Sequence, residues 1–171
     1  IDSAIQRSDN VYVMVCHNTR QSISGNIRVQ ALKDIYKNMT HVHILSVDDG
    51  HLPQHPEESS SLDEFYELWV HFVYTHIEHL DAVFTSEDYG DDFARYLGIE
   101  HFLVDKERIH IPISGTRVRS NPFKNWEFIP DEIKPYFVKR IALMGPESVG
   151  KTTMTKSLAK FFETNFVEEW G

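Results

Sequence analysis

The chain has 171 residues, with 26 acidic against 17 basic side chains for a formal net charge of −9, 41% hydrophobic residues and one cysteine. That balance argues against a duplex nucleic-acid surface, which needs Lys and Arg to neutralise phosphates, and leaves room for a compact small-anion site. No apolar run approaches the roughly 18 residues of a membrane span and no leader is visible, so a cytoplasmic protein is expected.

Short apolar runs alternate with longer amphipathic stretches, the pattern of parallel strands covered by helices. The expected fold is therefore α/β, a doubly wound parallel sheet of the Rossmann-like kind. Ile1 to Arg7 reads as part of an amphipathic helix, and both ends of the chain read as cut. Val11 to Cys16 reads as the first strand, in which Cys16 is a small buried hydrophobe rather than a nucleophile. His17 closes that strand at the end where such sheets bind ligands. With Asn18, Thr19 and Arg20 it is a candidate for a substrate phosphate, and Arg28 is a weaker candidate of the same kind.

Asn26 to Tyr36 puts Ile27, Ala31, Leu32, Ile35 and Tyr36 on one helical face, and His41 to Val47 reads as the second strand. Asp48 to Ser61 is rich in Asp, Gly, Pro, Glu and Ser, a surface excursion at that strand's exit. Ser61 followed by Glu64 forms a capping box for a helix whose Leu62, Phe65, Tyr66, Trp69, Phe72, Val73, His76, Ile77 and Leu80 recur at three- and four-residue spacing. Trp69 on that face reads as core, with stacking on a ligand ring as the alternative. Ala82 to Ser86 and His101 to Val104 read as strands, separated by a helix from Asp91 to Tyr96 that ends at Gly98. The ten histidines do not fall at metal-ligand spacings.

Two phosphate motifs follow. The run Ile111-Pro-Ile-Ser-Gly-Thr-Arg-Val-Arg119, after Asp105 and Arg108, offers the hydroxyls of Ser114 and Thr116, close backbone approach at Gly115 and the planar donor fork of Arg119. Arg117 is expected to face solvent, and Trp126, between Phe123 and Phe128, to be buried at the junction of two domains. Further on, Gly145-Pro-Glu-Ser-Val-Gly-Lys-Thr152 fits the phosphate-cradling loop G-x-x-x-x-G-K-S/T at every fixed position. Gly145 and Gly150 permit the tight backbone path through Pro146, Glu147, Ser148 and Val149, which turns amides toward phosphate oxygens. Lys151 reaches the β/γ-phosphates and Thr152, followed by Thr153, can ligate Mg²⁺. Phe137 to Met144 reads as the strand entering this loop and Lys151 to Thr164 as the helix leaving it, with Met154, Leu158, Phe161 and Phe162 on one side. The domain reading is one nearly complete domain over 1–136 and the beginning of a P-loop domain over 137–171.

Taken together, Pro112-Ile-Ser-Gly-Thr-Arg-Val-Arg119, Asn121-Pro-Phe-Lys-Asn-Trp-Glu-Phe-Ile-Pro130 and the phosphate loop closely resemble the NadR-type family. That family joins a nicotinamide-mononucleotide adenylyltransferase domain to a ribosylnicotinamide kinase domain. The resemblance covers essentially the whole chain, most specifically Val104 to Thr152. It implies that Ser114, Thr116 and Arg119 match the S-x-T-x-x-R element holding the triphosphate of ATP, and that Thr85, Ser86 and Glu87 lie near the adenosine. It also implies that Glu169 and Trp170 meet the riboside, and that Arg119 and Lys151 act in the two transfers with Mg²⁺. The implied small molecules are ATP, nicotinamide mononucleotide, NAD and ribosylnicotinamide; self-association stays open. The family's Gly-rich first strand and His/Thr-x-Gly-His motif are missing here, so weak or no activity is expected of the chain as given. Two other readings remain: another nucleotidyltransferase joined to a P-loop domain, and a non-catalytic sensor of NAD and ATP.

Overall fold

The computed structural model describes residues 1–19 and 21–168. The chain divides into two compact units, Ile1–Phe137 and Val138–Gly171. In the first, α1 (Asp2–Ile5) leads to β1 (Val11–His17), α2 (Gly25–Ile35), β2 (Val42–Asp48), α3 (Leu62–His76), β3 (Ala82–Thr85), α4 (Tyr89–Leu97), β4 (Glu100–Leu103) and α5 (Gly115–Ser120). In the second, α6 (Lys151–Phe161) follows the Gly-rich loop. No helix among the described residues is long and apolar enough to cross a membrane.

The strands pair in parallel as expected, β1 with β2 from Val11↔Val42 to His17↔Asp48, and β3 with β4 from Ala82↔Glu100 to Thr85↔Leu103. Parallel pairing sends every strand out toward the same end of its pair and makes each connection a crossover through a helix. Within the described residues the ladders remain two separate pairs rather than one continuous sheet. Hydrogen bonding joins β1 only to β2 and β3 only to β4. The expected single sheet is corrected to that extent, while the α/β class with parallel strands stands.

Side-chain alternation along β1 and β2 divides their residues between two faces. Met14, Cys16, Leu45 and Val47 share one face, where they pack with Leu52, Phe72 and Trp69. Val47 is 2% exposed, the most buried large side chain of this cluster. α2 packs on both strands and buries Val29 and Ala31. α3 in turn lies on α4 through Tyr66, whose ring stacks on Tyr96 at 4.8 Å, and through Tyr74, whose hydroxyl donates to the carbonyl of Leu97 at 2.9 Å.

Local signals are obeyed with small shifts. Ser61 Oγ accepts from the backbone N–H of Glu64 at 3.1 Å, capping α3. The Glu64 carboxylate reaches back to the N–H of Ser60, one residue before the reciprocal position of a capping box, at 2.7 Å. The Ser60 side chain first, and then this backbone bond, hold the Glu64 carboxyl below its ordinary range. Gly98 caps α4 in the left-handed conformation, φ 72°. α1 is tied down by the Tyr36 hydroxyl donating to Asp2 at 3.0 Å; burial first, then this contact, pushes the phenol up to about 12.

One element is not formed. Phe137 to Met144, expected as a strand, has no strand structure. A strand is stabilised by inter-strand hydrogen bonds, and among the described residues none pairs with this segment.

Candidate functional site

At the exit of the first strand pair, His17 and Asp48 stand opposite each other in the last rung of the ladder. An open cleft of about 790 Å³ forms there, lined by His17, Asn18, Thr19, Ser24, Gly25, Asp48, Gly50 and His51 among others. The N-terminus of α2 closes one side. Gly25 is required by space, because a Cβ on it would lie 2.4 Å from the His17 ring. The imidazole Nε2 sits 3.1 Å from Ser46 Oγ. Sequence reasoning missed Asp49, a carboxylate only 3% exposed that accepts from Asn18 Nδ2 at 3.3 Å. An acidic residue in a Gly- and Pro-rich excursion carries no burial signal of its own.

The other candidates near this cleft are engaged in holding the fold. Arg28 donates through Nη2 to the carbonyl of Cys16 at 2.8 Å and also to Gln21. Trp69 donates to the carbonyl of Pro53 at 2.9 Å and meets Phe72 edge-on. Cys16 is not a reactive thiol: burial chiefly, with the negative charge of Asp49, pushes its pKa up to about 11, so it stays protonated near neutrality. Arg20 lies outside the described residues.

The exit of the second strand pair holds the other cluster. Thr85 ends β3, and its hydroxyl lies 2.8 Å from His101 Nε2 and 3.1 Å from the carbonyl of Glu87. His101 Nδ1 is 2.6 Å from Asp91. The Glu87 carboxylate accepts from Arg108 at 3.2 Å, and Arg108 also donates to the carbonyl of Ile113 at 3.1 Å. Ile113 immediately precedes the Ser-Gly-Thr-x-x-Arg element. There Ser114 caps α5 by accepting the N–H of Arg117 at 3.2 Å, which leaves the hydroxyl proton free to donate. Arg119 folds back over Gly115, where a Cβ would stand 3.2 Å from its guanidinium, and donates to Thr116 Oγ1 at 3.3 Å. Arg117 is exposed, as expected.

The loop that delivers this element is shaped by Asp105. Its carboxylate accepts from the backbone N–H groups of Ile109 at 2.7 Å, His110 at 3.0 Å and Ile111 at 2.9 Å. Those bonds, His110 first and then Ile111, hold the Asp105 carboxyl below the usual carboxylate range. Beyond α5, Trp126 stacks on Phe123 at 5.9 Å and lies under the Lys134 ammonium.

In the second unit the Gly145–Thr152 loop turns through Ser148, φ 58°, and Gly150, φ 85°, before entering α6. A nest-like path of this kind turns successive backbone N–H groups to one side. Lys151 Nζ donates to the carbonyl of Pro146 at 2.9 Å, folding the ammonium over the loop. Thr152 and Thr153 are exposed at the start of α6. Glu169 and Trp170 lie outside the described residues. Among the described residues, no group of three His, Cys, Asp or Glu side chains could hold a metal ion. The Thr152 hydroxyl beside this loop is a hard oxygen donor, of the kind that can contribute one ligand to Mg²⁺.

No protein-family model matches the chain. It is 45% identical over 92 residues to the trifunctional NAD biosynthesis/regulator protein NadR of Escherichia coli K12, an alignment covering 53% of this chain and 22% of that protein. Against the protein of the same name from Salmonella typhimurium LT2 it is 46% identical over 90 residues, 52% of this chain and 22% of that one. The match thus spans about a fifth of the length of these curated relatives. A crystal structure of NadR protein in complex with NR superposes with a TM-score of 0.72 at 20% identity, covering 98% of this chain and 48% of that one. A second, NadR protein in complex with NAD and AMP-PNP, gives 0.70 at 21% identity, with 98% and 50% covered. At such identities the superpositions speak for the fold, and the curated alignments for the sequence. The chain resembles the NadR-type proteins in sequence over about half its length and in fold over nearly all of it.

Proposed function

We propose that this protein works in NAD biosynthesis by adenylyl transfer from ATP to nicotinamide mononucleotide, and that its P-loop unit phosphorylates ribosylnicotinamide with a second ATP. The observation that carries the first reaction is that Arg108 bonds both Glu87, just beyond β3, and the carbonyl of Ile113, the residue before the element in which Arg119 donates to Thr116, in a chain 45% identical over 92 residues to a NAD biosynthesis protein.

In adenylyl transfer a phosphate oxygen of the mononucleotide attacks the α-phosphorus of ATP. The new P–O bond forms as the bond to the bridging oxygen breaks, and the pair of electrons leaves with pyrophosphate. Ser114, Thr116 and Arg119 would hold the triphosphate, with the Arg119 fork stabilising charge that builds on the leaving group. Thr85, Ser86 and Glu87 would border the adenosine. The cleft at His17 would take the acceptor, while Trp69 packs in the neighbouring core cluster with Val47, Leu52 and Phe72.

In kinase chemistry the loop amides of residues 145–153 and Lys151 would cradle the β- and γ-phosphates, while Glu169 and Trp170 would meet the riboside. Mg²⁺, held by the Thr152 hydroxyl and phosphate oxygens, would neutralise phosphate charge. Neither reaction needs a covalent enzyme intermediate; what the protein contributes is position and charge.

Titration calorimetry with ATP·Mg²⁺ and nicotinamide mononucleotide, followed by an assay for NAD, tests the proposal. Arg119→Ala should weaken ATP binding by about 10- to 100-fold, the worth of one charge-assisted bidentate contact, and NAD should form with the native protein. Absence of ATP binding overturns the reading. Binding of ATP and NAD without turnover by the native protein replaces it with a sensor.

A further inference from the structure

Arg108 has no place in either phosphate motif, yet it touches both ends of the nucleotide site described above. One guanidinium nitrogen donates to the Glu87 carboxylate at the β3 corner, and the other donates to the carbonyl of Ile113, the residue before Ser114. We propose that Arg108 is a positioning residue that fixes the spacing between the adenosine end and the triphosphate end of the ATP site. The proposal rests on the adenylyltransferase reading and adds to it a residue that holds the ligand's two halves in register without touching the reacting atoms.

Both anchors are themselves held. On the β3 side, the Glu87 carbonyl accepts from Thr85, Thr85 meets His101, and His101 meets Asp91. The His101 side chain is 7% exposed. Gly90 makes room for this chain, since a Cβ there would lie 2.3 Å from both His101 Nε2 and Thr85 Oγ1. On the loop side, Arg108 has a left-handed backbone, φ 53°, which is uncommon for a non-glycine residue. Asp105 braces this turn through its carboxylate on three N–H groups and through its carbonyl, which accepts the N–H of Arg108 at 2.8 Å. From this backbone conformation the side chain reaches both Glu87 and the Ile113 carbonyl. Ile113, 7% exposed, anchors the carbonyl that Arg108 holds.

A planar fork with separate nitrogens can serve two acceptors at once, which an ammonium at the end of a flexible stem does less well. The Glu87–Arg108 pair is partly open to water, so its effect on folding is small. Its effect on a ligand that spans both anchors is larger, because a fixed separation lets the second half of the ligand bind without a further loss of freedom.

The test compares ATP with its halves. Affinities for ATP·Mg²⁺, adenosine and tripolyphosphate are measured by calorimetry for the native chain, Arg108→Met, Arg108→Lys, Glu87→Ala and the double variant Glu87→Ala/Arg108→Met, with thermal unfolding alongside. Arg108→Met should weaken ATP by about 10-fold, the worth of a charge-assisted hydrogen bond, while tripolyphosphate and adenosine change less than about 2-fold and the melting temperature holds. Glu87→Ala should weaken ATP by a similar factor and the double variant by no more than either single one, the signature of a shared interaction. Arg108→Lys should fall between. Equal losses for ATP and tripolyphosphate would make Arg108 a direct phosphate ligand and overturn the proposal, as would native ATP affinity in Arg108→Met. If Arg108→Met does not fold, additive losses in Glu87→Ala/Arg108→Lys overturn it instead. Arg119→Ala separates the two levels: if the native chain binds no ATP the adenylyltransferase reading fails, whereas loss in Arg119→Ala without loss in Arg108→Met defeats only the positioning role.

Discussion

Two units of one chain treat their apolar side chains in opposite ways. In Ile1–Phe137, β1 and β2 present Met14, Cys16, Leu45 and Val47 to α3, and Leu52 and Phe72 close the cluster. In Val138–Gly171, Ile141, Met144, Phe161 and Val167 are 78% to 91% exposed and α6 buries Ala159 among its described residues. Both segments carry the apolar periodicity of helices that lie on sheets, but in the first a strand pair is present to receive the helix. The second has its helix and loop without a ladder among the described residues. An amphipathic helix is stabilised mainly by the surface it covers, so the same local code yields a packed domain in one place and an exposed element in the other.

That contrast gives its largest prediction in the packed unit. Phe72→Ala removes a ring 7% exposed from the Val47 cluster and should cost about 3–5 kcal/mol in a urea unfolding curve. A loss under about 1 kcal/mol, the size typical of ordinary substitutions, would mean that the cluster does not carry the unit's stability. Lys151→Ala tests whether the second unit binds nucleotide despite its exposed helix: it should weaken one ATP site about tenfold or more by calorimetry and leave the site sensitive to Arg119→Ala unchanged. Equal loss at both would deny two independent sites.

Smaller effects sharpen the comparison. Ser61→Ala removes the acceptor for the Glu64 N–H and should lower stability by about 1 kcal/mol, read as a shift in the first unit's melting temperature. Phe161→Ala, at a ring 78% exposed, should change stability by less than about 0.5 kcal/mol; a larger loss would show that α6 is covered in solution. Asp105 provides a pH-dependent effect. Its folded carboxyl titrates below the ordinary value because backbone N–H groups of His110, Ile111 and Ile109 bond the charged form. Its contribution is therefore complete above the unfolded value near about 3.9 and disappears as pH falls through the folded value. Asp105→Asn should flatten that acid limb of the melting-temperature profile, and an unchanged limb would contradict the three-bond cradle.

The two candidate phosphate motifs were legible because their residues are close neighbours along the chain. Ser114, Thr116 and Arg119 lie within six consecutive residues from the N-cap of α5 onward, and Lys151 and Thr152 follow Gly150 directly, so local sequence alone brings each set together. Asp49 and His101 were not legible as site components. Their meaning lies in burial and in partners far along the chain, Asn18 for one, Asp91 and Thr85 for the other. The pattern of apolar runs likewise identified the four strands of the first unit, since alternation and helical spacing are local properties of the chain. It also gave a strand over Phe137 to Met144 that does not form, because strand formation depends on a neighbour as well as on the segment itself.

By itself, then, the sequence determined the α/β order of elements, the caps of α3 and α4 and the two phosphate motifs, all of which follow from residues within a few positions of one another. Only the tertiary structure decided that the strands form two pairs, that Arg28 and Trp69 hold backbone carbonyls, and that Arg108 joins Glu87 to Ile113. Those arrangements depend on which distant groups remain unsatisfied when the chain compacts, and a buried or half-buried donor takes whatever acceptor the fold brings within reach.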